Sequence, residues 1–325
     1  MISSKSRWLI IGGAGYIGSH VTRTFLQNNL DVLVLDNLST GIKERIPTSI
    51  ELIELDCSES DKVNNILNSN NIEGIVHLAA LKHARESERE SLKYWDKNIS
   101  AMLGVIKSLK NSPVKYFLFS SSCSIYGDRN EVTEGSTPKP LSTYAKTKST
   151  SENILNDCAK ELNLSFINLR YFNVIGNDDF PMAYDNSLEC LFPCLYKSLK
   201  KGELPNVFGT NFNTPDGSAL RDYIDVRDLS QAHYLCAKHL ILQNKKLSLN
   251  LNIGTGKPRS VIEIINAFSK HLSVPNKFNN LERNPADPDA VWANTEKFKS
   301  LFNWKPTCNL DDSIKSFVAS KKFDE

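Results

Sequence analysis

Apolar and polar positions alternate in blocks along the first half of the chain. Short apolar runs recur at 8–11, 32–35, 50–55, 75–80, 116–119 and 166–169. Between them lie longer stretches with helical spacing, such as 91–110 and 142–162. Apolar runs of this length read as strands buried on both faces, and the spacers as amphipathic helices. Strand–helix–strand repetition predicts an α/β protein with a doubly wound parallel sheet, its crossovers right-handed. After Asn173 the rhythm fails. Residues 177–186 and 210–218 read as loops rich in Asn, Asp, Gly and Pro. A helix is expected from about Asp228, a strand near 249–253, and a helix after Ser260, where Ser260 and Glu263 fit a capping box. The pattern predicts a sheet lobe over 1–173 and a smaller mixed α/β lobe over 174–325. Roughly 221–255 is expected to return to the first lobe.

Where the first strand should end, "WLIIGGAGYIGSH" places Gly12, Gly15 and Gly18. Such glycines serve either a tight turn or a phosphate. The phosphate reading requires a strand before them and a helix after them, and the pattern supplies both. Helix N-terminal N–H groups carry partial positive charge, and glycines let a pyrophosphate approach them. The next apolar run ends in Asp36, about 20 residues on, where a carboxylate accepts hydrogen bonds from an adenosine ribose and repels a 2′-phosphate. The alternative for Asp36 is a turn residue before Asn37. The third run ends at Asp56, within reach of an adenine. The fourth ends in His77-Leu78-Ala79-Ala80, small residues where a cofactor would lie close. Together these make the first lobe a Rossmann-like domain for NAD rather than NADP.

Candidate chemistry follows the fifth run. "FLFSSSCSIYG" delivers three serines at a strand end, and about twenty residues later "STYAKTKS" sets Tyr144 and Lys148 four apart, on one face of a helix. Two further Tyr-x-x-x-Lys matches, Tyr196/Lys200 and Tyr234/Lys238, follow no such strand and read as solvated helix faces with the tyrosine packed. Open α/β sheets bind ligands at the carboxyl ends of their strands, so Ser122, Tyr144 and Lys148 are the candidate catalytic group. A phenol with a reference pKa of about 10 needs help to act as a base. One positive charge ~5 Å away, at an effective dielectric of ~20, stabilises phenolate by roughly 3 kcal/mol, about two pKa units. Lys148 supplies one such charge and an oxidised nicotinamide a second, which together bring the phenol near 7. Ser122 would share the substrate's hydrogen bond. Ser124 is either a residue supporting it or a plain turn serine.

Composition narrows the choice. The chain has 325 residues, 40% hydrophobic and 23% charged, with a formal net charge of +2. These are ordinary globular values, with no basic surface for nucleic acid and no acidic tail. The first apolar run is too short for a signal peptide, and no stretch approaches the ~20 apolar residues of a membrane span. Seven cysteines include no Cys-x-x-Cys pair. Cys190 and Cys194 lie close but have no Cys/His partners for zinc, so no metal is expected, and reduced thiols in a cytoplasmic protein are.

These residues resemble the extended short-chain dehydrogenase/reductase family and, within it, the UDP-glucose/UDP-galactose 4-epimerases. The resemblance spans nearly the whole chain: "GGAGYIGSH", "LDNLSTG", "VHLAALK", "FSSSCSIYGD", "YAKTK", then "LRYFNVIG", "RDYIDVRDL", "LNIGTGK" and "NWKP". It implies a tightly held NAD, with Gly12, Gly15 and Gly18 around the pyrophosphate and Tyr16 and Ile17 contributing backbone. It places Asp36 and Asn37 at the adenosine ribose, Asp56 and Cys57 at the adenine, and Lys82 and Asn98 on the nicotinamide side. Ser122, Tyr144 and Lys148 match the catalytic triad. For a UDP-sugar the matches are Asn173, Leu191, Phe208 and Arg221. Arg221 suits phosphates through its planar fork; the alternative is an ion pair with Asp222 or Asp225. The family's Arg-x-Gly-Asp stretch reads here Asn284-Pro285-Ala286-Asp287, with Arg283 one residue earlier as the substitute. Cys190 stands where the family often has Asn or His. Val291 occupies a position where a tyrosine excludes a 2-acetamido group; it either leaves that space open or simply packs. A homodimer through 91–110 and 142–162 is also implied. Sister dehydratases and decarboxylases carry an acidic residue just after the catalytic Ser/Thr, where this chain has Cys123–Ser124. A non-catalytic NAD-sensing module on the same fold would lack the Tyr/Lys pair.

Overall fold

The computed structural model describes residues 6–180, 182–243, 245–283 and 287–321. Asn284, Pro285 and Ala286, the stretch that departs from the Arg-x-Gly-Asp pattern, lie outside the described residues. The chain divides into two compact units. One holds residues up to 125, 142–170 and 230–251; the other holds 126–141, 171–229 and those from 252 on.

The first unit runs β1 (Arg7–Ile11), α1 (Tyr16–Gln27), β2 (Asp31–Asp36), β3 (Leu52–Glu54), α2 (Ser60–Ser69), β4 (Ile72–His77), α3 (Ala84–Arg89), α4 (Ser91–Ser108) and β5 (Tyr116–Ser122). A short β6 (Glu131–Val132) belongs to the other unit. Then come α5 (Thr143–Ala159) and β7 (Ser165–Tyr171). Among the described residues these strands build a seven-stranded sheet, completed by β11 below. β1 pairs in parallel with β2 and β4, β2 with β3, and β4 with β5. Alternate residues of each strand face opposite sides. Leu9, Ile11, Leu33, Ile75, Phe117 and Phe166 pack against Val63, Met102, Val105 and Leu155 of α2, α4 and α5. On the other side Trp8 meets Phe25 of α1 edge-on, with centroids 5.6 Å apart, and stacks on Tyr116. A Cβ at Gly74 would fall 2.5 Å from that indole, so only glycine fits there.

The remaining elements are β8 (Asn173–Ile175), α6 (Leu191–Lys200), β9 (Asn206–Phe208), β10 (Leu220–Asp225), α7 (Val226–Leu242), β11 (Ser248–Ile253), β12 (Pro258–Ser260), α8 (Val261–Leu272), β13 (Asn279–Leu281), β14 (Ala290–Ala293), α9 (Glu296–Phe302) and α10 (Leu310–Lys321). The first sheet is ordered β11-β7-β5-β4-β1-β2-β3. The second unit's sheet is ordered β12-β10-β14-β6, with β8 also paired to β10, while β9 and β13 form a separate ribbon. Its core is aromatic: Phe192 meets Phe268 at 4.7 Å and Phe317 at 5.6 Å, both edge-on, beside Ile264, Ile265 and Ile314. Ser260 and Glu263 form the expected capping box at the start of α8. Tyr196 and Tyr234 are buried, and Lys200 lies 5.8 Å from the Tyr196 ring.

Candidate active site

Strand order reverses between β1 and β4, the place where open α/β sheets take ligands. The glycine turn sits there. Gly12 has φ +81°, and a Cβ on it would meet the Ala79 backbone nitrogen at 2.7 Å. Gly12 N–H donates to Leu35 O at 2.8 Å and Leu78 N–H to Ile11 O at 2.9 Å, which pins the turn between β2 and the end of β4. A Cβ on Gly18 would stand 2.1 Å from Gly12 O. Gly15 is the N-cap of α1, without a side-chain cap and with no acidic residue in the first turn; its Cβ would meet Gly12 O at 3.2 Å and nothing else within 4 Å. The first-turn amides of Tyr16 and Ile17 therefore have a helix's partial positive charge and an uncovered approach, which fits a pyrophosphate.

Asp36 is buried at the end of β2. Burial raises its pKa, opposed by the N–H groups of Leu38 and Ala14, each 2.9 Å from one carboxylate oxygen. Asn37 Nδ2 donates to Asp56 Oδ2 at 3.0 Å, so the ends of β2 and β3 are joined. Burial alone would raise the Asp56 pKa, but the Ser58 amide and hydroxyl and the Asn37 amide outweigh it and lower it. The adjacent Cys57 thiol is pushed up to about 12 by burial and by the Asp56 charge. Lys82 is exposed after β4. Asn98 is buried on α4, its amide bonded to both backbone groups of Leu81 and to Thr147 Oγ1.

Ser122, Tyr144 and Lys148 come together at the carboxyl end of β5. The Ser122 hydroxyl acts on the Tyr144 phenol, lowering its pKa, and its Oγ accepts from Ser124 N–H at 3.2 Å and Ser124 Oγ at 2.9 Å. Ser124 thus supports Ser122. Lys148 Nζ donates to Ser120 O at 2.7 Å and lies 6.0 Å from the Tyr144 ring centroid. The first turn of α5 is held by three acceptors: Ser142 Oγ takes Ala145 N–H, Ser87 Oγ takes Tyr144 N–H, and Glu88 takes Thr143 N–H. The expected value near 7 required the nicotinamide charge as well as Lys148; among the chain's own groups, burial pushes Tyr144 up to about 12 while Ser122 lowers it. Burial also pushes Lys148 down to about 7, with the Glu152 charge opposing. Desolvation penalises the charged form of both groups.

In the second unit, β10 collects several of the sugar-side candidates. Arg221 is the register partner of Val291 on β14, and Tyr223 that of Asn173 on β8. The ion-pair alternative for Arg221 is not realised: Arg221 donates to Leu220 O. Asp222 accepts from Thr255, Gly256 and Ala293, and Asp225 from Arg227 and Ser313. Val291 is buried, and Leu191, at the start of α6, is partly buried. Phe208 is exposed at the end of β9, beside Leu281 of β13. Arg283 follows two residues later, stacked 4.1 Å over Phe212 and paired with Asp289 at 2.9 Å. Among the described residues no group of His, Cys, Asp and Glu is arranged to hold a metal, and no helix is long and apolar enough to cross a membrane.

Residues 8–254 match the model of the NAD dependent epimerase/dehydratase family. The chain belongs to that family. A UDP-glucose 4-epimerase of Lactobacillus helveticus is 35% identical over 312 residues, 94% of each chain. A UDP-glucose 4-epimerase of Bifidobacterium longum, solved in complex with NAD+ and UDP, superposes with a TM-score of 0.88 at 27% identity, covering 98% of this chain and 99% of that one. The UDP-Glc/GlcNAc 4-epimerase of Campylobacter jejuni does so at 0.84 and 32%, covering 98% and 99%. Within this epimerase/dehydratase fold, sequence reasoning missed Glu152 and Arg170, buried beneath the Tyr/Lys pair, and the capping role of Ser87 and Glu88. The signal for Glu152 was present, four residues beyond Lys148 on the same helix face.

Proposed function

We propose that this chain catalyses the reversible inversion at C4 of a UDP-hexose through a transient 4-keto sugar, with NAD as its cofactor. The carrying observation is the Ser122–Tyr144–Lys148 group at a strand end, in the same unit as an uncovered glycine turn. The likeness to UDP-glucose 4-epimerases over nearly the full chain supports it. Gly12, Gly15, Gly18 and the amides of Tyr16 and Ile17 hold the pyrophosphate; Asp36 and Asn37 hold the adenosine ribose, Asp56 and Cys57 flank the adenine, and Lys82 and Asn98 lie toward the nicotinamide. NAD, when bound, supplies the two-electron acceptor and donor that no side chain provides.

Tyr144 Oη takes the proton of the sugar's 4-hydroxyl and later returns it. Ser122 Oγ orients that hydroxyl, itself fixed by Ser124. Because the chain's own groups hold the phenol up, its ionisation depends on a further positive charge brought by the bound nucleotide. Asn173, Leu191, Phe208 and Arg221 hold the UDP, with Arg221 on the phosphates; Arg283 contributes only by sharing its guanidinium with Asp289. The 4-keto sugar turns over while its nucleotide stays anchored. Val291, beside Arg221, leaves room for a 2-acetamido group, so UDP-GlcNAc and UDP-GalNAc are accepted as well. The protein is cytoplasmic, which its seven cysteines, none of them in a disulfide, suit. It is a homodimer through α4 and α5, supported by Leu92, Trp95 and Leu103, large apolar side chains exposed on α4.

The test is incubation of the purified protein with a panel of UDP-sugars and separation of the 4-epimers. Epimers should form with the wild type and be lost in Tyr144→Phe, which keeps its NAD. A Tyr144→Phe rate within tenfold of wild type would sink the assignment.

A further inference from the structure

The three serines at the end of β5 each meet a different turn of α5. Ser120 O accepts from Lys148, Ser121 Oγ donates to Glu152 Oε1 at 2.5 Å, and the Ser122 hydroxyl lowers the pKa of Tyr144. Tyr144, Lys148 and Glu152 are spaced four apart and so share one helix face. Glu152 is tied in further by Arg170 of β7, whose Nε donates to Oε1 at 2.9 Å and whose terminal nitrogen donates to Oε2 at 2.6 Å. All three partners, Ser121, Glu152 and Arg170, are buried.

A buried ion pair of this kind adds little stability over apolar residues of the same volume. What apolar residues cannot supply is a fixed register and a charge. Three groups face Lys148 besides the Ser120 carbonyl. Tyr144 lies on its own helix and is neutral. His77, on β4, is pushed down to about 3 by burial and by the Lys148 charge, and is neutral too. Glu152 is the negative charge that opposes the desolvation of Lys148.

We infer that Glu152, clamped by Ser121 and Arg170, is a positioning residue for catalysis: it locks α5 in register with β5 and so fixes Lys148 and Tyr144, one and two turns away on the same face, at the end of that strand. The inference rests on the reading of Tyr144 and Lys148 as the acid–base pair. Loss of the clamp frees Lys148 to shift from its place 6.0 Å from the Tyr144 ring, and loss of the Glu152 charge removes what opposes its desolvation; a displaced or neutral Lys148 makes the phenol harder to ionise.

The decisive variant is the holoenzyme carrying Glu152→Leu and Arg170→Met together, which removes the pair without stranding a charge. Thermal unfolding, the pH dependence of kcat, and the ionisation of Tyr144 are measured; the last is read as tyrosinate absorbance relative to Tyr144→Phe. Unfolding should stay near wild type. The acidic limb of kcat and the Tyr144 titration should both move up by about one pH unit, with a roughly tenfold loss of kcat at neutral pH. If the double variant does not fold, Glu152→Gln keeps an acceptor for Ser121 and should show the same shift. A folded variant with wild-type kcat, pH profile and tyrosine titration overturns the inference. Retained activity in the Tyr144→Phe control would instead overturn the reading of the site on which it rests.

Discussion

Replacing Gly18 by alanine separates the shape of the nucleotide turn from its chemistry. The new Cβ would stand 2.1 Å from Gly12 O, 2.7 Å from Gly13 Cα and 2.9 Å from Gly12 C. The first contact lies more than an ångström inside ordinary van der Waals distance. The turn cannot easily retreat, because Gly12 is bonded to Leu35 and the space beside it, where a Cβ would sit, is filled by the Ala79 backbone. Overpacking against backbone costs about 3 kcal/mol, and the helix propensity of alanine returns about 1. For a chain of 325 residues the net loss of about 2 kcal/mol corresponds to a Tm lower by about 3 °C. Gly15→Ala is the counterpart. At φ −72°, with only one contact at 3.2 Å, its methyl group costs about 0.5 kcal/mol as a weaker N-cap. It stands, though, on the approach to the Tyr16 and Ile17 amides. Both variants should therefore lose NAD, but only Gly18→Ala should lose substantial stability. The assay is nucleotide released per chain on denaturation, with thermal unfolding of the stripped proteins. A Gly18→Ala protein as stable as wild type would refute the backbone clash, and full NAD retention by Gly15→Ala would refute the helix N-terminus as the pyrophosphate seat.

NAD should be the released nucleotide, with little NADP, because the buried Asp36 carboxylate opposes a 2′-phosphate; Asp36→Asn should narrow the preference at least tenfold, and mainly NADP in the wild type would reverse the claim. Val291→Tyr should lower kcat/KM for the acetamido sugar pair at least tenfold relative to the plain pair; equal use of both pairs by the variant, or no use of acetamido sugars by the wild type, would show that Val291 only packs. His77 is neutral when folded, its pKa lowered from 6.5 to about 3, so above pH 6.5 it is neutral in both states. As pH falls from 6.5 toward 3 only the unfolded chain binds the proton, and stability drops by up to about 1.4 kcal/mol per pH unit. His77→Phe should flatten that acid-side decline in Tm, and an unchanged slope would mean that His77 is not the group responsible.

Local pattern alone determined the apolar runs that became β1, β2, β4, β5 and β7, the glycine turn with Asp36 after it, the capping box of Ser260 and Glu263, and Tyr144 beside Lys148. Each depends on a short-range rule: strand and helix periods, the N–H groups of a helix start, and the four-residue face repeat. The later half was less legible. β8, β10 and β14 are three to six residues long, too short for a clear period, and their pairing joins Asn173, Arg221 and Val291 across long sequence separations. Tertiary structure also decided the charge state of the catalytic pair. Sequence spacing put near Tyr144 one of the two cations that a low pKa requires, but did not show that folding buries both groups and so moves Tyr144 up and Lys148 down. Glu152 and Arg170 read in sequence as one more helix carboxylate and one polar break in an apolar strand. Only packing of α5 on β5 and β7 makes them a buried, doubly bonded pair. A sequence states which residues share a face; burial and the partners brought by distant segments set their electrostatics, because dielectric and distance are properties of the folded chain.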